Sequence, residues 1–259
     1  MKVVTDAEKT SERSAAADAN EGTLDETTIV FRCPPELSAI LPKPVAAVEG
    51  LPAWYKEMPL RAFSDILNSE QLTLKKCPPF IDAMTFGFLI PLMTDIRVED
   101  GLFSWDHAVP ANSSPGAAHS PLDFHDNSQA TGSPFFDDDQ ILLKFNSFWM
   151  MQAPPGYSLL ITHPINRPDL PFTTLSGIVD ADRYRDNFIN FPARWRDPDF
   201  NGVVPKGTPI AQILPIRRDG WIARFDTIDA ATAERMHELK GLLASERDVY
   251  RHRFRAAKR

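Results

Sequence analysis

The stretch ILLKFNSFWMMQAPPGYSLLIT, residues 141–162, decides the fold class. Ile141 to Phe145 and Ser147 to Gln152 are short apolar and aromatic runs of strand length. Ala153-Pro-Pro-Gly156 interrupts them, and Tyr157 to Thr162 resumes the same character. Runs of four to eight such residues bounded by Pro and Gly read as strands, and Gly156 permits a tight turn between them.

Working outward, the pattern repeats on both sides. Upstream, Thr27 to Arg32 is β-branched and apolar and ends at Cys33-Pro34-Pro35; Leu72 to Cys77, Phe86 to Pro91 and Asp95 to Val98 read as further strands. Downstream come Thr173 to Val179, Asn187 to Phe191 and Pro209 to Ile216. Turn signals separate the runs in this second half by about ten residues, the spacing of sandwiches and barrels, and no alternation of strands with helices appears. The 23 prolines agree, since proline suits turns and strand ends better than helix interiors. One helix is expected, from the N-cap Asp229 toward Arg259, with Met236, Leu239, Leu243, Val249, Tyr250 and Phe254 at roughly helical spacing and Gly241 as its weak point. The expected organisation is a disordered arm over residues 1–26, an all-β distorted barrel or jelly roll over 27–226, and a C-terminal helix over 227–259. Within the β region, Ser38 to Met58 is punctuated by proline and reads as a surface crossing anchored by Trp54 and Tyr55.

Composition narrows the function. A net charge of −7 gives no general reason to expect nucleic-acid binding. Two cysteines, Cys33 and Cys77, are too few for a disulfide framework, and no CxxC knuckle is present. No run of about 18 apolar residues exists, so no membrane partner is expected, and the cytoplasm is the expected compartment.

Four segments resemble the superfamily of trimeric deoxyuridine triphosphatases and deoxycytidine triphosphate deaminases. Asp82-Ala-Met-Thr-Phe-Gly-Phe-Leu89 with Asp95-Ile-Arg-Val-Glu-Asp-Gly101 resembles its opening strand and turn, and Ala153-Pro-Pro-Gly-Tyr-Ser-Leu-Leu160 resembles the strand leading into its second motif. Gly177-Ile-Val-Asp-Ala-Asp-Arg-Tyr-Arg185 looks like its nucleoside-binding hairpin. Farther on, Val204-Pro-Lys-Gly-Thr-Pro-Ile-Ala-Gln-Ile-Leu214 is similar to its fourth motif. The order of CPPF, DAM, PPGYS, VDAD and KGTPIAQ also looks like that of a group of bacterial and phage-encoded proteins, which adds a family and no activity. The resemblance covers about half the chain. It implies a β core that assembles in threes, with Asp180 as general base beside Asp182, Tyr184 shaping a sugar pocket and Gln212 near the phosphates. The residues agree in one respect: Val-Asp-Ala-Asp alternates, so both carboxylates project from one face.

Departures from the family pattern bear on activity. Where its second motif carries a Pro-Arg-Ser phosphate clamp, this chain has His163-Pro-Ile-Asn-Arg-Pro-Asp169. Arg167, with Asn166 beside it, could face an anionic ligand; alternatively, Asn166 and Asp169 build the turn while Arg167 pairs locally. Arg183 is inserted before Tyr184. The glycine-rich arm that closes over a triphosphate is replaced by Trp221 and a charged helix, and no other phosphate cradle is present. The expectation is a small anionic ligand or nucleotide bound without conventional hydrolysis of deoxyuridine triphosphate, at Asp180, Asp182, Arg167, Asn166, Tyr184 and Gln212. A structural or protein-interaction scaffold is the alternative, and a homo-oligomer, a trimer by resemblance, fits either. A third reading is metal-dependent chemistry. His107, His119 and His125 share a polar stretch with Asp106, Asp123 and Asp126, and a divalent metal would draw on His125 and the distant His163. Loop-capping histidines are the plainer account of that stretch.

Overall fold

The computed structural model describes residues 24–25, 27–106, 119–135, 141–246 and 248–256. It is mainly β, with antiparallel sheets and few helices. The expected arm over 1–26 lies outside the described residues apart from Leu24 and Asp25, as does His107.

The chain divides into two compact units: Met1–Val45 with Gly87–Arg218, and Ala46–Phe86 with Asp219–Arg259. The first unit holds the larger sheets. One is built on β9 (Leu142–Gln152), which pairs with β13 (Phe188–Trp195); β13 in turn pairs with β11 (Phe172–Thr174). Along its other edge β9 takes β1 (Val30–Arg32) and β8 (Leu122–Phe124). The second sheet has the order β12 (Gly177–Val179), β10 (Tyr157–Thr162), β15 (Pro209–Arg217), β5 (Phe88–Pro91) and β2 (Val45–Ala46). A third is formed by β14 (Gly202–Val204), β6 (Ile96–Glu99) and β7 (Leu102–Ser104). Among the described residues no sheet closes on itself; the sheets are open and share a core. Phe145, Phe172, Phe191, Leu143, Met151, Leu159, Ile210 and Ile213 are buried there, and the Phe145 and Phe172 rings lie 4.8 Å apart.

Three strand readings change in instructive ways. The two runs before Pro154 are one strand, β9, interrupted by a bulge: Phe188 pairs with Met150 but Asn190 pairs with Asn146. Phe148 sits inside that bulge at φ +56°, and Ser147 Oγ accepts the Trp149 N–H at 3.2 Å. The extra residues break strand alternation, so Phe145 to Trp149 are all buried in succession. Conversely, Thr173 to Val179 is not one strand but β11 and β12, which belong to different sheets. A chain that changes sheets at Leu175-Ser176 leaves no trace in hydrophobicity, because both halves are apolar.

In the second unit, a hairpin of β3 (Arg61–Ser64) and β4 (Ser69–Leu72) stands beside two helices that the sequence reading missed, α1 (Ala53–Glu57) and α2 (Pro78–Thr85). The expected strand over Leu72 to Cys77 is a single helical turn at Leu74–Lys76 instead. Lys75 Nζ donates to the carbonyls of Lys56 and Met58 at the end of α1, and Tyr55 Oη donates to Lys75 O; these bonds hold the segment curled. Tyr55 is buried as an anchor and stacks on Phe80. The C-terminal helix, α3 (Ala230–Ser245), begins at Asp229, whose carboxylate accepts the Thr232 N–H at 2.7 Å. It stops well short of Arg259: Glu246 is extended, and the backbone turns through positive φ at Asp248.

Candidate functional site

Strand register brings three distant sequence segments to one point. Within the second sheet β10 is flanked by β12 and β15, with Leu159 opposite Val179 and Tyr157 opposite Arg217. Asp180 therefore leaves the end of β12 level with Ser158, and Arg218 leaves the end of β15 level with Gly156. Gly156, at φ +83° in the Pro-Pro-Gly turn, accepts the Arg218 N–H through its carbonyl. The alternation in Val-Asp-Ala-Asp does as expected: Ala181 is fully buried, and Asp180 and Asp182 fall on the same side.

The side chains between them form a closed clasp. Arg218 places both terminal nitrogens on Asp182, Nη1 to Oδ1 at 2.8 Å and Nη2 to Oδ2. The same Nη1 reaches Tyr157 O at 2.9 Å, Ser158 Oγ at 3.1 Å and Asp180 Oδ1 at 3.5 Å. The Asp182 side chain is 10% exposed, and its Oδ2 also accepts the Gly156 N–H at 3.0 Å. Buried Ser158 donates to Asp180 Oδ1 at 2.6 Å. Hydrogen bonding by the Arg218 guanidinium holds the Asp182 carboxyl below the usual carboxylate range; burial opposes this, and the Gly156 N–H adds to it. The same contact raises Arg218 further above its already high value. An acid so held is ionised, neutralised by a fork of donors, and a poor proton acceptor.

The remaining candidates gather at the other end of β10. Gln212 pairs with Thr162, whereas Arg217 pairs with Tyr157, five residues away along the strand. At about 3.3 Å per residue the two ends stand roughly 17 Å apart. Gln212 is buried, and its Oε1 accepts the Ile165 N–H at 2.8 Å, holding the His163–Asp169 loop. Asn166 sits in that loop's turn at φ +58°. Arg167 folds back onto Asp169, Nε at 2.9 Å and Nη2 at 2.8 Å, so its cation is engaged locally. Tyr184 is half exposed on the turn after Asp180, and its hydroxyl accepts from Asn187 Nδ2 at 2.8 Å. The structure thus brings Asp180 and Asp182 together but separates them from Arg167, Asn166 and Gln212.

Among the described residues, no group of three or more His, Cys, Asp or Glu side chains is placed to hold an ion. His163 Nδ1 accepts the Thr174 N–H at 3.3 Å, which leaves the proton on Nε2 to donate to Arg167 O at 3.0 Å. Burial lowers the affinity of that ring for a second proton, against the opposing pull of the Arg167 carbonyl. His125 lies on the other sheet and pairs with Gln129. Asp126 caps the turn Asn127–Ala130, and Asp123 is held by Asn146, Ser120 and Lys144.

Sequence reading missed Arg218 and Ser158. The only available signal was a basic pair, Arg217-Arg218, ahead of Asp219-Gly220 at a strand end. Fold and clasp together define a mainly β protein of open antiparallel sheets in which Arg218 closes over Asp182 and touches the half-exposed Asp180 at 3.5 Å. Compared with known proteins, the chain matches no family model and no curated sequence. Among the described residues, no helix is long and apolar enough to cross a membrane.

Proposed function

We propose that this chain is a non-hydrolytic β scaffold, related in fold to the deoxyuridine triphosphatase superfamily, that works by assembling with other chains, a second copy of itself first among them. One observation carries the reading: the acid that would activate water is tied to Ser158, and its neighbour is closed by Arg218. A triphosphate needs cations not already neutralised. Arg218 and Arg167 are both committed to carboxylates. The motif order supports kinship of the scaffold, since the Pro-Pro-Gly turn and the Val-Asp-Ala-Asp hairpin meet at the clasp. The Lys206-Gly207 turn is likewise occupied internally: Lys206 Nζ donates to Ile40 O at 2.8 Å.

Assembly is supported by the segment after the clasp. Trp221, Ile222 and Phe225 are each about nine-tenths exposed, and Ile228 is two-thirds exposed, within eight residues. Single exposed apolar side chains are ordinary, but four large ones in one short segment mark an interaction surface. The test measures solution mass by light scattering, together with thermal shifts in deoxynucleotides. An oligomer that Trp221→Ser with Phe225→Ser dissociates, and no nucleotide shift, is the expected result. A monomer that deoxynucleotides stabilise, with the shift lost in Asp180→Asn, would replace this reading by the anion-binding one.

A further inference from the structure

We infer that the face of β9 and β13 next to His125 is a binding site for a small, otherwise apolar molecule carrying one hydroxyl or N–H group, such as a phenol or an indole. A cavity of about 400 Å³ lies there, within the range that holds small organic ligands. Leu142 and Leu143 of β9, Pro192 and Ala193 of β13, and Leu175 supply apolar walls. Leu143 and Ala193 are core residues, so this part of the cavity is rigid.

The polar feature is a single atom. His125 Nε2 is buried and, among the described residues, has no hydrogen-bond partner. Its orientation is imposed from two sides. The His125 N–H donates to Leu142 O at 2.9 Å, fixing the residue against β9, and Gln129 Oε1 lies 2.8 Å from Nδ1. With the Gln129 amide oxygen facing it, Nδ1 is the donor in the neutral ring, and Nε2 then presents its lone pair. Gln129 is held in turn, because Asp126 caps the helical turn on which it stands and Asp126 O accepts its N–H. The Ser133 hydroxyl on the wall is spent: its Oγ donates to Ala130 O at 2.7 Å. A buried ring nitrogen without a donor is unfavourable, and a ligand that brings one donor and otherwise apolar surface relieves it. An anion is disfavoured, since among the described residues the wall offers it no Lys or Arg.

The site does not depend on the clasp or on the scaffold reading. The experiment uses the full chain and two matched probes, 2-naphthol and naphthalene, which differ in the donor alone. Binding is followed by thermal shift and by the His125 ring-nitrogen resonances. The expected result is that 2-naphthol binds about five- to tenfold more tightly than naphthalene, the worth of one buried neutral hydrogen bond. The Nε2 resonance should move on binding while Nδ1 stays protonated. His125→Phe should remove the preference for the hydroxyl, and Ala130→Phe, which fills the cavity from its partly exposed wall, should block both probes. Equal affinity for the two probes in the wild type, no binding of either, or binding that survives Ala130→Phe would overturn the assignment. The wild-type comparison decides the matter even if a variant does not fold.

Discussion

Asp182→Asn tests the clasp with almost no change in shape. The carboxylate accepts three hydrogen bonds, two from Arg218 and one from Gly156 N. An amide keeps one oxygen and turns its NH2 toward a donor, so at least one charge-assisted bond is lost. Such bonds contribute about 1.5–3 kcal/mol; with Arg218 partly in solvent, screening reduces this to about 1–2 kcal/mol. For a domain of this size that is a fall in Tm of about 3–6 °C, read by calorimetry at pH 7. The pH dependence sharpens the test. Asp182 is held below its ordinary value in the fold, so the unfolded chain takes up a proton first as pH falls, near 3.9. The stabilisation is therefore complete above about pH 5 and lost as pH drops through the depressed folded value. The gap between wild type and variant should be constant from pH 7 to 5 and close below about 4. An unchanged Tm at pH 7, or a gap that does not narrow as the pH falls below about 4, would refute the reasoning.

Two further outcomes follow from the first unit. Gly87 sits at φ +76°, and a Cβ there would run into Ile213 O of β15, so Gly87→Ala should lose at least about 2 kcal/mol in chemical denaturation; an unchanged midpoint would contradict the register of β5 on β15. His163 is partly buried with both ring nitrogens engaged, and its lowered pKa means that the unfolded chain binds the extra proton first. Wild-type stability should therefore decline as pH falls below about 6.5, and His163→Asn should flatten that part of the profile.

Much of the fold was legible locally. Tyr157 to Thr162 is a strand with the bounds expected, because Gly156 and His163-Pro164 punctuate an alternating apolar run. Asp229 starts its helix because a carboxylate one residue before a helical run satisfies an otherwise unpaired N–H. The candidate site was legible only in part. That Asp180 and Asp182 share a face follows from strand geometry, but what they face does not. Arg218 lies 36 positions from Asp182, and nothing local to either residue encodes their meeting.

By itself, then, the sequence determined the β character, the turn at Pro154–Gly156, the side on which the two acids project and the start of the final helix. Each depends on φ/ψ preferences, caps and alternation within a few residues. Only the tertiary structure decided that Arg218 closes the acids, that Arg167 and Gln212 serve a different end of β10, and that His125 faces an apolar cavity. These outcomes depend on which strands pair and in what register. Register is set by burial summed over the whole sheet, which no short stretch of sequence contains.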